Sequence, residues 1–395
     1  MEAFVKPEIT WSALAPIGVV IATALATLIT ELFLPRGQRA PLVAVGLLGL
    51  ALAAYFQIAI WQSRISTFSD MVVSDSLGAI LCLAVLGATA LTLLFSEDYL
   101  EARGLRYGEF YPLLLFASAG AMAMLTTTNL MVMFIGLEML SIALYVLSGL
   151  SRAESRSEES ALKYFLLGAF ASAFLLYGIA LMYGAMGSVD LRAIPLAWQE
   201  SEGTQVALLT ASLVLLLIGL GFKASLVPFH LWTPDVYQGA PTVATAYMSA
   251  VAKVAAFGVL IRLMASVAPA TDLWMPILWW LSLLSMVVGN AAALIQRDAK
   301  RMLAYSSIAH AGYLTLGLVS ANATGTTGMI YYLVAYSLMT VGAFGVLTLM
   351  ARAGDRTTVD ALQGLYRRSP FAAHMMAILM LSLAGIPPTA GFWGK

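Results

Sequence analysis

Long apolar segments, separated by short polar connections, repeat along the whole chain. Most are close to the roughly 20 residues that an α-helix needs to cross a hydrocarbon core of about 30 Å. The pattern predicts twelve membrane-spanning helices, and no connection between them is long enough to hold a nucleotide-binding or redox domain. We number these spans in chain order: 12–34, 41–62, 76–96, 110–126, 129–150, 160–184, 206–238, 240–265, 273–296, 300–319, 326–351 and 370–395.

Spans 7 and 12 each contain residues that break a helix. A continuous helix over residues 206–237 would be roughly 48 Å long, well beyond a hydrocarbon core of about 30 Å. Pro228 and Pro234 in span 7 each lack a backbone donor, and span 12 is interrupted by Pro387 and Pro388. We therefore predict two helices that are broken inside the membrane, an arrangement that marks transport sites in other membrane proteins.

The composition also indicates a membrane protein. The 395 residues are 61% hydrophobic and 11% charged, whereas soluble domains carry about 25% charged residues. Cys82 is the only cysteine, which excludes an intramolecular disulfide and an iron–sulfur cluster held by this chain alone. The first apolar run is long enough to remain as a span, so we expect no cleaved signal peptide. The net charge of zero gives no indication of a nucleic-acid partner.

Basic residues concentrate in alternate connections. The odd-numbered loops carry thirteen, whereas the N-terminal tail and the even-numbered loops carry four. Because cytoplasmic loops are enriched in Lys and Arg, we expect the odd loops in the cytoplasm and the N-terminus outside. The thirteen are Arg36, Arg39, Arg103, Arg106, Arg152, Arg156, Arg297, Lys300, Arg301, Arg352, Arg356, Arg367 and Arg368, and the four are Lys6, Arg64, Arg192 and Arg262. We expect Arg262 to be an interfacial anchor.

Three charged residues fall inside apolar spans. Glu138 is the tenth residue of the run 129–150, Lys253 is central in span 8, and Lys223 lies at the edge of the break in span 7. A charge at a helix centre costs roughly 2.5–3.5 kcal/mol on insertion scales, so such residues usually face the bundle interior and mark ion pathways. The alternative is a charge pair that only locks helices together. The broken helix between these residues favours an ion pathway.

Polar residues in other spans extend this set. Lys163 lies at the start of span 6, where a lysine can also extend to the interface. His310 shares a helical face with Ser306 and Tyr313, and His230 follows the first proline of the break. In span 11, the positions of Tyr332, Tyr336 and Thr340 again predict one polar face.

A row of buried lysines could form a proton relay. Burial favours the neutral amine, and a nearby carboxylate favours the charged form. At about 7 Å and an effective dielectric constant near 20, one carboxylate contributes roughly 2.4 kcal/mol. We therefore predict that Glu138 faces Lys223, and that movement between them changes the protonation of the lysine.

Three stretches resemble the antiporter-like subunits of respiratory complex I. They are residues 221–241 (GFKASLVPFHLWTPDVYQGAP), 296–310 (QRDAKRMLAYSSIAH) and 385–395 (GIPPTAGFWGK). The first is long and highly specific, and the resemblance extends from span 4 to the end of the sequence. Residues 160–178 (SALKYFLLGAFASAFLLYG) and the lysine at 395 look like the N-type subunit rather than the M-type, L-type or Mrp antiporter relatives.

The resemblance implies an all-α polytopic membrane protein with an antiporter-like fold. That fold has fourteen helices, with two inverted five-helix repeats and broken helices 7 and 12. Twelve spans are present here, so about two further helices are expected after Lys395. The implied units are the N-terminal helices 1–3 (1–109), the first inverted repeat with helices 4–8 (110–268) and the truncated second repeat with helices 9–12 (269–395).

The resemblance also implies which residues transfer protons. Glu138 matches the glutamate of helix 5, Lys223 its lysine partner in helix 7, and Lys253 the connecting lysine of helix 8. Lys395 matches the lysine of helix 12 that faces the external side.

Three further residues join the implied proton path. Lys163 matches the lysine of helix 6, His310 falls in the central hydrophilic axis, and His230 lies in the break of helix 7. The implied function is that of a proton-translocating membrane-arm subunit of a bacterial-type NADH:quinone oxidoreductase, with K-type and M-type subunits as neighbours in the cytoplasmic (inner) membrane. FMN, iron–sulfur clusters and quinone would belong to other subunits, with no cofactor and no metal on this chain.

Other functions fit the same residues. One is an Mrp-type cation/proton antiporter subunit that works without a redox arm, which the motif in span 6 disfavours. Another is a membrane subunit of a related hydrogenase or ferredoxin-driven complex. A third, from a different class, is a scaffold in which the charges only hold helices together.

Overall fold

The computed structural model describes residues 9–35, 39–105, 107–350 and 357–395. Arg36, Arg106, Arg352, Arg356 and Lys6, which entered the charge count, lie outside the described residues. The first half contains α1 (Trp11–Phe33), α2 (Ala40–Ala59), β1 (Ile65–Thr67), β2 (Val72–Ser74), α3 (Ser76–Ala102), α4 (Phe110–Leu125), α5 (Leu130–Ser148), α6 (Ser155–Met186) and α7 (Ile194–Glu200). The second contains α8 (Thr204–Ala224), α9 (Trp232–Gly239), α10 (Thr242–Ser266), α11 (Thr271–Leu294), α12 (Ala299–Val319), α13 (Ala323–Met350), α14 (Leu365–Arg368), α15 (Pro370–Ala384) and α16 (Ala390–Gly394).

The helices confirm the predicted all-α membrane architecture. Within the described ranges, ten helical segments are long and apolar enough to cross a membrane, and α4 and α15 are shorter apolar helices. These segments lie where the twelve spans were predicted. The number that cross the bilayer, and their grouping into two repeats, stay predictions.

Small elements at the helix ends were not predicted. The strands β1 and β2 form an antiparallel hairpin in which Ile65 lies opposite Ser74. The hairpin is joined to the end of α4, because the Val73 N–H donates to the carbonyl of Thr126 at 2.8 Å. The helix α7 has only seven residues, and strands and helices of this size carry too little periodicity to be recognised among long apolar segments.

Both predicted helix breaks are present. In the first, α8 ends at Ala224, and Ser225 adopts a left-handed conformation (φ 63°) before α9 begins at Trp232. In the second, α15 ends before Gly385, which is also left-handed (φ 80°), and α16 begins five residues later. At each break, backbone N–H groups after the helix turn back to carbonyls of its last turn, which satisfies acceptors that lipid could not.

The helix α10 forms the centre of the core. Nearly every residue from Thr242 to Met264 is buried, and α10 is in contact with α3, α4, α8, α12 and α13. Its many alanines allow neighbouring helices to approach closely, which is the main source of packing between helices in a membrane. Lys253 lies in the middle of this helix and is therefore held far from lipid and solvent.

Candidate functional site

Glu138 lies in the middle of α5, where that helix packs against α6. The side chain of Asn129 caps the start of α5 and so fixes which residues of the helix face inward. Glu138 is half-buried, and its carboxylate accepts a hydrogen bond from the hydroxyl of Ser172 on α6. The structure thus places a half-buried carboxyl group where α5 meets α6.

Lys223 occupies the last turn of α8, next to the first break, and its side chain is 3% exposed. Its Nζ atom donates to Ser141 Oγ at 2.8 Å and to the hydroxyl of Tyr164 at 3.3 Å. Among the described residues, Lys223 and Glu138 form no ion pair within 4.0 Å. Since Ser141 lies one turn after Glu138 on α5, the predicted facing of lysine and glutamate is indirect, across one helical turn.

Lys253 joins the first break to α12. Its buried Nζ atom donates to the carbonyl of Ala224, the last residue of α8, at 3.2 Å and to the carbonyl of Ser307 at 2.6 Å. The same Nζ atom lies 5.9 Å from the ring centroid of Tyr336. One ammonium group therefore touches the residue next to Lys223 on one side and the polar stripe of α12 on the other.

His310 continues this row on α12. Its Nδ1 atom shares a hydrogen bond with the hydroxyl of Tyr332. One turn earlier, Ser307 Oγ accepts from the hydroxyl of Tyr336 at 2.8 Å, so the predicted polar face of α13 meets the polar face of α12. Ser306, expected on this face at i−4 from His310, is half-buried in α12, and the neighbouring Ser307 is the buried residue that makes these contacts.

Lys395 follows α16, beyond the second break. Its Nζ atom donates to the carbonyl of Leu383 in the last turn of α15 at 2.6 Å and lies 4.8 Å from the ring centroid of Tyr313. Tyr313 is one turn from His310 on α12, and their rings are in edge contact. The structure therefore brings Lys395 to the end of the row that begins at Lys223.

Lys163 lies apart from this row, at one end of the bundle. Its Nζ atom is within 2.9 Å of Asp235 Oδ2 on α9, and it also pairs with Glu159. Arg301 on α12 binds the other oxygen of Asp235 at 2.6 Å. These ion pairs join α6, α9 and α12 through Asp235. Lys163 therefore does more than extend to the interface.

His230 is not joined to the row of lysines. It lies between α8 and α9, and its buried Nδ1 atom has no hydrogen-bond partner within the part of the chain that the structure describes. No group of three or more His, Cys, Asp or Glu side chains that could hold a metal ion is found among those residues. His230 therefore stays a candidate on its position alone.

Two basic residues have different environments from those that the sequence suggested. Lys300 was counted as a loop residue, but it is 1% exposed in the first turn of α12, and its Nζ atom donates to the carbonyl of Ala240 at 2.6 Å. The capping pattern of Asp298, whose side chain accepts from the Arg301 N–H, would have placed Lys300 inside the helix.

Arg262 is the second. The interfacial anchor expected at this position is instead a nearly buried clasp. Its guanidinium binds both oxygens of Asp75 at 2.6 and 2.7 Å and donates to the carbonyl of Leu125. These contacts join the end of α10 to the start of α3 and the end of α4, so Arg262 holds three helices together.

The chain matches a known family over most of its length. The family model described as "NADH:quinone oxidoreductase/Mrp antiporter, TM" matches residues 127–395. The subunit N of NADH-quinone oxidoreductase from Trichlorobacter lovleyi is 42% identical over 389 residues, covering 98% of this chain and 80% of the relative. Subunit N 1 from Herpetosiphon aurantiacus is 44% identical over 398 residues, covering 99% and 81%.

Solved structures agree with these relatives. A chain of respiratory complex I from Thermus thermophilus superposes with a TM-score of 0.82 at 40% identity, over 96% of this chain and 80% of that chain. A chain of the Mrp complex from Dietzia, 24% identical, has a TM-score of 0.79 over 98% and 73%, and shows a shared fold. The chain therefore belongs to the antiporter-like membrane subunits of NADH:quinone oxidoreductase, as subunit N, a proton-translocating component of that hetero-oligomeric membrane complex.

Proposed function

We propose that protons move through this subunit along the row formed by Glu138, Lys223, Lys253, His310 and Lys395. The observation that carries the proposal is the bridging position of Lys253, whose ammonium contacts the end of α8 and the polar face of α12 together. Charged groups inside a membrane are expensive and usually mark ion pathways. Three buried titratable side chains, Lys223, Lys253 and His310, continued by Lys395 and preceded by Glu138 one turn from a Lys223 partner, suit stepwise proton transfer.

Hydroxyl groups lie beside three members of this row. Ser141 and Tyr164 accept from the Lys223 ammonium, and the Tyr332 hydroxyl is bonded to His310. The Tyr336 hydroxyl is bonded to Ser307, whose carbonyl accepts from Lys253. A hydroxyl both donates and accepts, so it can pass a proton between nitrogens that are not in direct contact. Lys163 and His230 would act at the ends or at the break, outside this central row.

We further propose the division into helices 1–3 (1–109), a first inverted repeat (110–268) and a partial second repeat (269–395). Corresponding features support it. Ser225 and Gly385 end α8 and α15 in the same left-handed conformation, and a proline follows each by three residues. The side chains of Asn129 and Asp298 cap α5 and α12, the second helix of each proposed repeat.

The N-terminus is proposed to lie outside the cytoplasmic membrane of a bacterium. The ion pairs of Lys163, Asp235 and Arg301 bring the helix ends next to the fifth, seventh and ninth loops to one end of the bundle. The even loops meet at the other end, where Arg192 pairs with Asp70. Because the end formed by the odd loops carries the larger number of Lys and Arg residues, it is assigned to the cytoplasm.

The proposed neighbours are the K-type and M-type membrane subunits. The relatives are named as subunits of an NADH-quinone oxidoreductase, so FMN, iron–sulfur clusters and a quinone are assigned to other chains of the assembly. The half-buried position of Glu138 at the edge of the bundle suits a carboxylate that senses a charge from a neighbouring subunit. This chain would then receive energy through that charge rather than through electrons.

Replacement of Lys223 by Met tests the proposal. The apolar side chain fits the buried site but cannot hold a proton, so NADH-driven proton transport in reconstituted vesicles should be lost while the assembly forms normally. Arg192→Met, which removes an exposed basic residue at the opposite end of the bundle, should leave transport unchanged. Native transport in Lys223→Met would exclude the proposed path, and failure to assemble would support the scaffold function instead.

A further inference from the structure

One carboxylate ties together three helices at the end assigned to the cytoplasm. Asp235 on α9 binds Lys163 of α6 at 2.9 Å and Arg301 of α12 at 2.6 Å. The backbone carbonyl of Asp235 also accepts from Ser160 Oγ at 3.1 Å. Because α9 has only eight residues and is separated from α8 by the break, these polar contacts help to fix its position against α6 and α12.

The C-terminal end of α9 is in close contact with the first turns of α6. A Cβ atom built at Gly239 would be 1.9 Å from Ser160 Oγ and 2.5 Å from the carbonyl of Arg156. Only glycine permits this approach, so the short helix is seated directly on the first turns of α6. Any movement of α9 therefore has to break the Asp235 contacts before it can separate the two helices.

Two stacked aromatic rings, which we call the aromatic seal, lie on the same face of α9. Trp232, one turn before Asp235, stacks on Tyr164 with ring centroids 4.5 Å apart and an interplanar angle of 8°. Both rings are almost completely buried, and the hydroxyl of Tyr164 accepts a hydrogen bond from the Lys223 ammonium. Neighbouring residues of α6, Lys163 and Tyr164, thus contact Asp235 and Trp232 respectively.

A polar cleft lies on the outer side of this seal. It has a volume of about 180 Å³, and its lining includes Glu159, Ser160, Lys163, Asp235 and Gln238. The side chains of Lys163 and Asp235 are 41% and 36% exposed, whereas Tyr164 and Trp232, close to them on α6 and α9, are buried. Partly exposed ion pairs are weak enough to open and close during turnover.

We propose that Asp235 is a positioning residue that latches α9 over Lys223, and that the cleft is the route by which water and protons reach that lysine. With the latch closed, Trp232 and Tyr164 exclude water. With the contacts to Lys163 and Arg301 broken, α9 is free to tilt about the break, and the cleft becomes continuous with the Lys223 site. This inference rests on the proposed role of Lys223 and adds a gate to it.

A cysteine reporter beside Lys223 tests the latch. Ala171 is buried and lines the small cavity that contains Lys223, and Cys82 can be replaced by Ala to remove the only native thiol of this chain. In the whole assembly in membrane vesicles, Ala171→Cys is treated with a charged, water-soluble thiosulfonate. Labelling of this subunit is then read by mass spectrometry.

The latch predicts a definite order of labelling. Asp235→Asn should raise the labelling rate roughly three- to tenfold, because two partly exposed ion pairs are weakened together, and Asp235→Glu should restore the slow rate. Arg301→Gln, which removes one of the two partners, should give a smaller rise. Asp190→Asn, which weakens an ion pair with Arg192 at the opposite end, is the matched control and should change nothing.

Unchanged labelling in Asp235→Asn and Arg301→Gln would overturn the latch. Labelling is measured whether or not protons move, so this result would leave the proton path intact. Native proton transport by Lys223→Met would instead exclude the path, whatever the labelling shows. A rise of equal size in the Asp190→Asn control would also overturn the latch, since it would mean that any lost ion pair loosens the bundle.

Discussion

The two broken helices end in the same backbone conformation, but the carbonyls at their ends accept hydrogen bonds from different donors. Ser225 and Gly385 end α8 and α15 in the left-handed region, with the same returning backbone hydrogen bonds. At the first break, the carbonyl of Ala224 accepts a hydrogen bond from the ammonium of Lys253, which lies on another helix, α10. At the second break, the carbonyl of Leu383 accepts a hydrogen bond from the ammonium of Lys395, which follows the same broken helix.

This difference shows how the breaks are connected to the bundle. The first break is tied to the core helix α10 and, through the second contact of Lys253, to Ser307 on α12. At the second break the hydrogen bond is made within the same broken helix, and the contact of Lys395 with α12 is through the ring of Tyr313. A change at Lys253 therefore reaches α8 beside Lys223, whereas a change at Lys395 first affects its own helix.

The comparison also raises an alternative role for these lysines. A carbonyl without a partner inside a membrane is costly, and an ammonium near a helix C-terminus is favourable. Lys253 and Lys395 could thus serve only as caps for broken helices. Capping requires a hydrogen-bond donor, whereas a relay requires a proton that can leave, and this distinction separates the two roles.

The largest expected effect follows from removing each cap. Lys253→Met leaves the Ala224 carbonyl at the end of α8 without this donor, and an unsatisfied buried group costs about 1–3 kcal/mol. It also removes a second hydrogen bond, to the Ser307 carbonyl, which keeps its partner within α12. Lys395→Met removes the donor of one carbonyl. Thermal unfolding of the purified assembly should therefore show a larger loss of stability for Lys253→Met. Equal losses would contradict the picture of one connected and one local break.

An intermediate effect is expected at the left-handed residues. Gly385→Ala forces a side chain into the left-handed region and should destabilise the protein by about 1–2 kcal/mol. Ser225→Gly relieves the same strain but loses the hydrogen bond from Thr233 Oγ1 at 2.9 Å, so a net change within about 1 kcal/mol is expected. Denaturant or thermal titration of both variants measures the difference. A stable Gly385→Ala variant would show that the second break is not held in this conformation.

The smallest effect is expected at Tyr332. Tyr332→Phe keeps the ring but removes the hydroxyl that is hydrogen-bonded to His310, while Lys253 and Tyr336 keep their contacts. Proton transport should fall by roughly two- to fivefold, since a single neutral hydrogen bond contributes about 1 kcal/mol. Leu333→Ala, a packing change at the neighbouring buried residue, is the control for general loosening of α13. If both variants lose the same transport, the hydroxyl has no specific role.

The sequence was sufficient to predict the helices, both breaks and the central lysines. Their signals are local, because span length, proline and an intramembrane charge can each be recognised within one segment. The polar faces of the two neighbouring helices, one with His310 and the other with Tyr332 and Tyr336, were predicted separately from helical periodicity, and the structure shows that they meet. The family match rests on motifs around Lys223 and Lys395 that are equally local.

The partners of these residues could not be predicted. Lys223 binds Ser141 and Tyr164, which are 82 and 59 positions away, and nothing in the spacing distinguishes them from other polar residues of α5 and α6. Asp235 lies in the stretch that first indicated the break, yet its pairing with Lys163 and Arg301 depends on how three helices meet. Long-range contacts are set by packing rather than by local pattern.

The most direct test of the account is proton transport by the Lys253→Gln assembly. The glutamine amide can donate to a freed carbonyl but cannot carry an extra proton, so it keeps a cap and removes a relay group. We expect unfolding close to that of the native assembly, together with a loss of NADH-driven proton transport of roughly tenfold or more. Native transport in Lys253→Gln would contradict the account and would show that Lys253 only caps the broken helix.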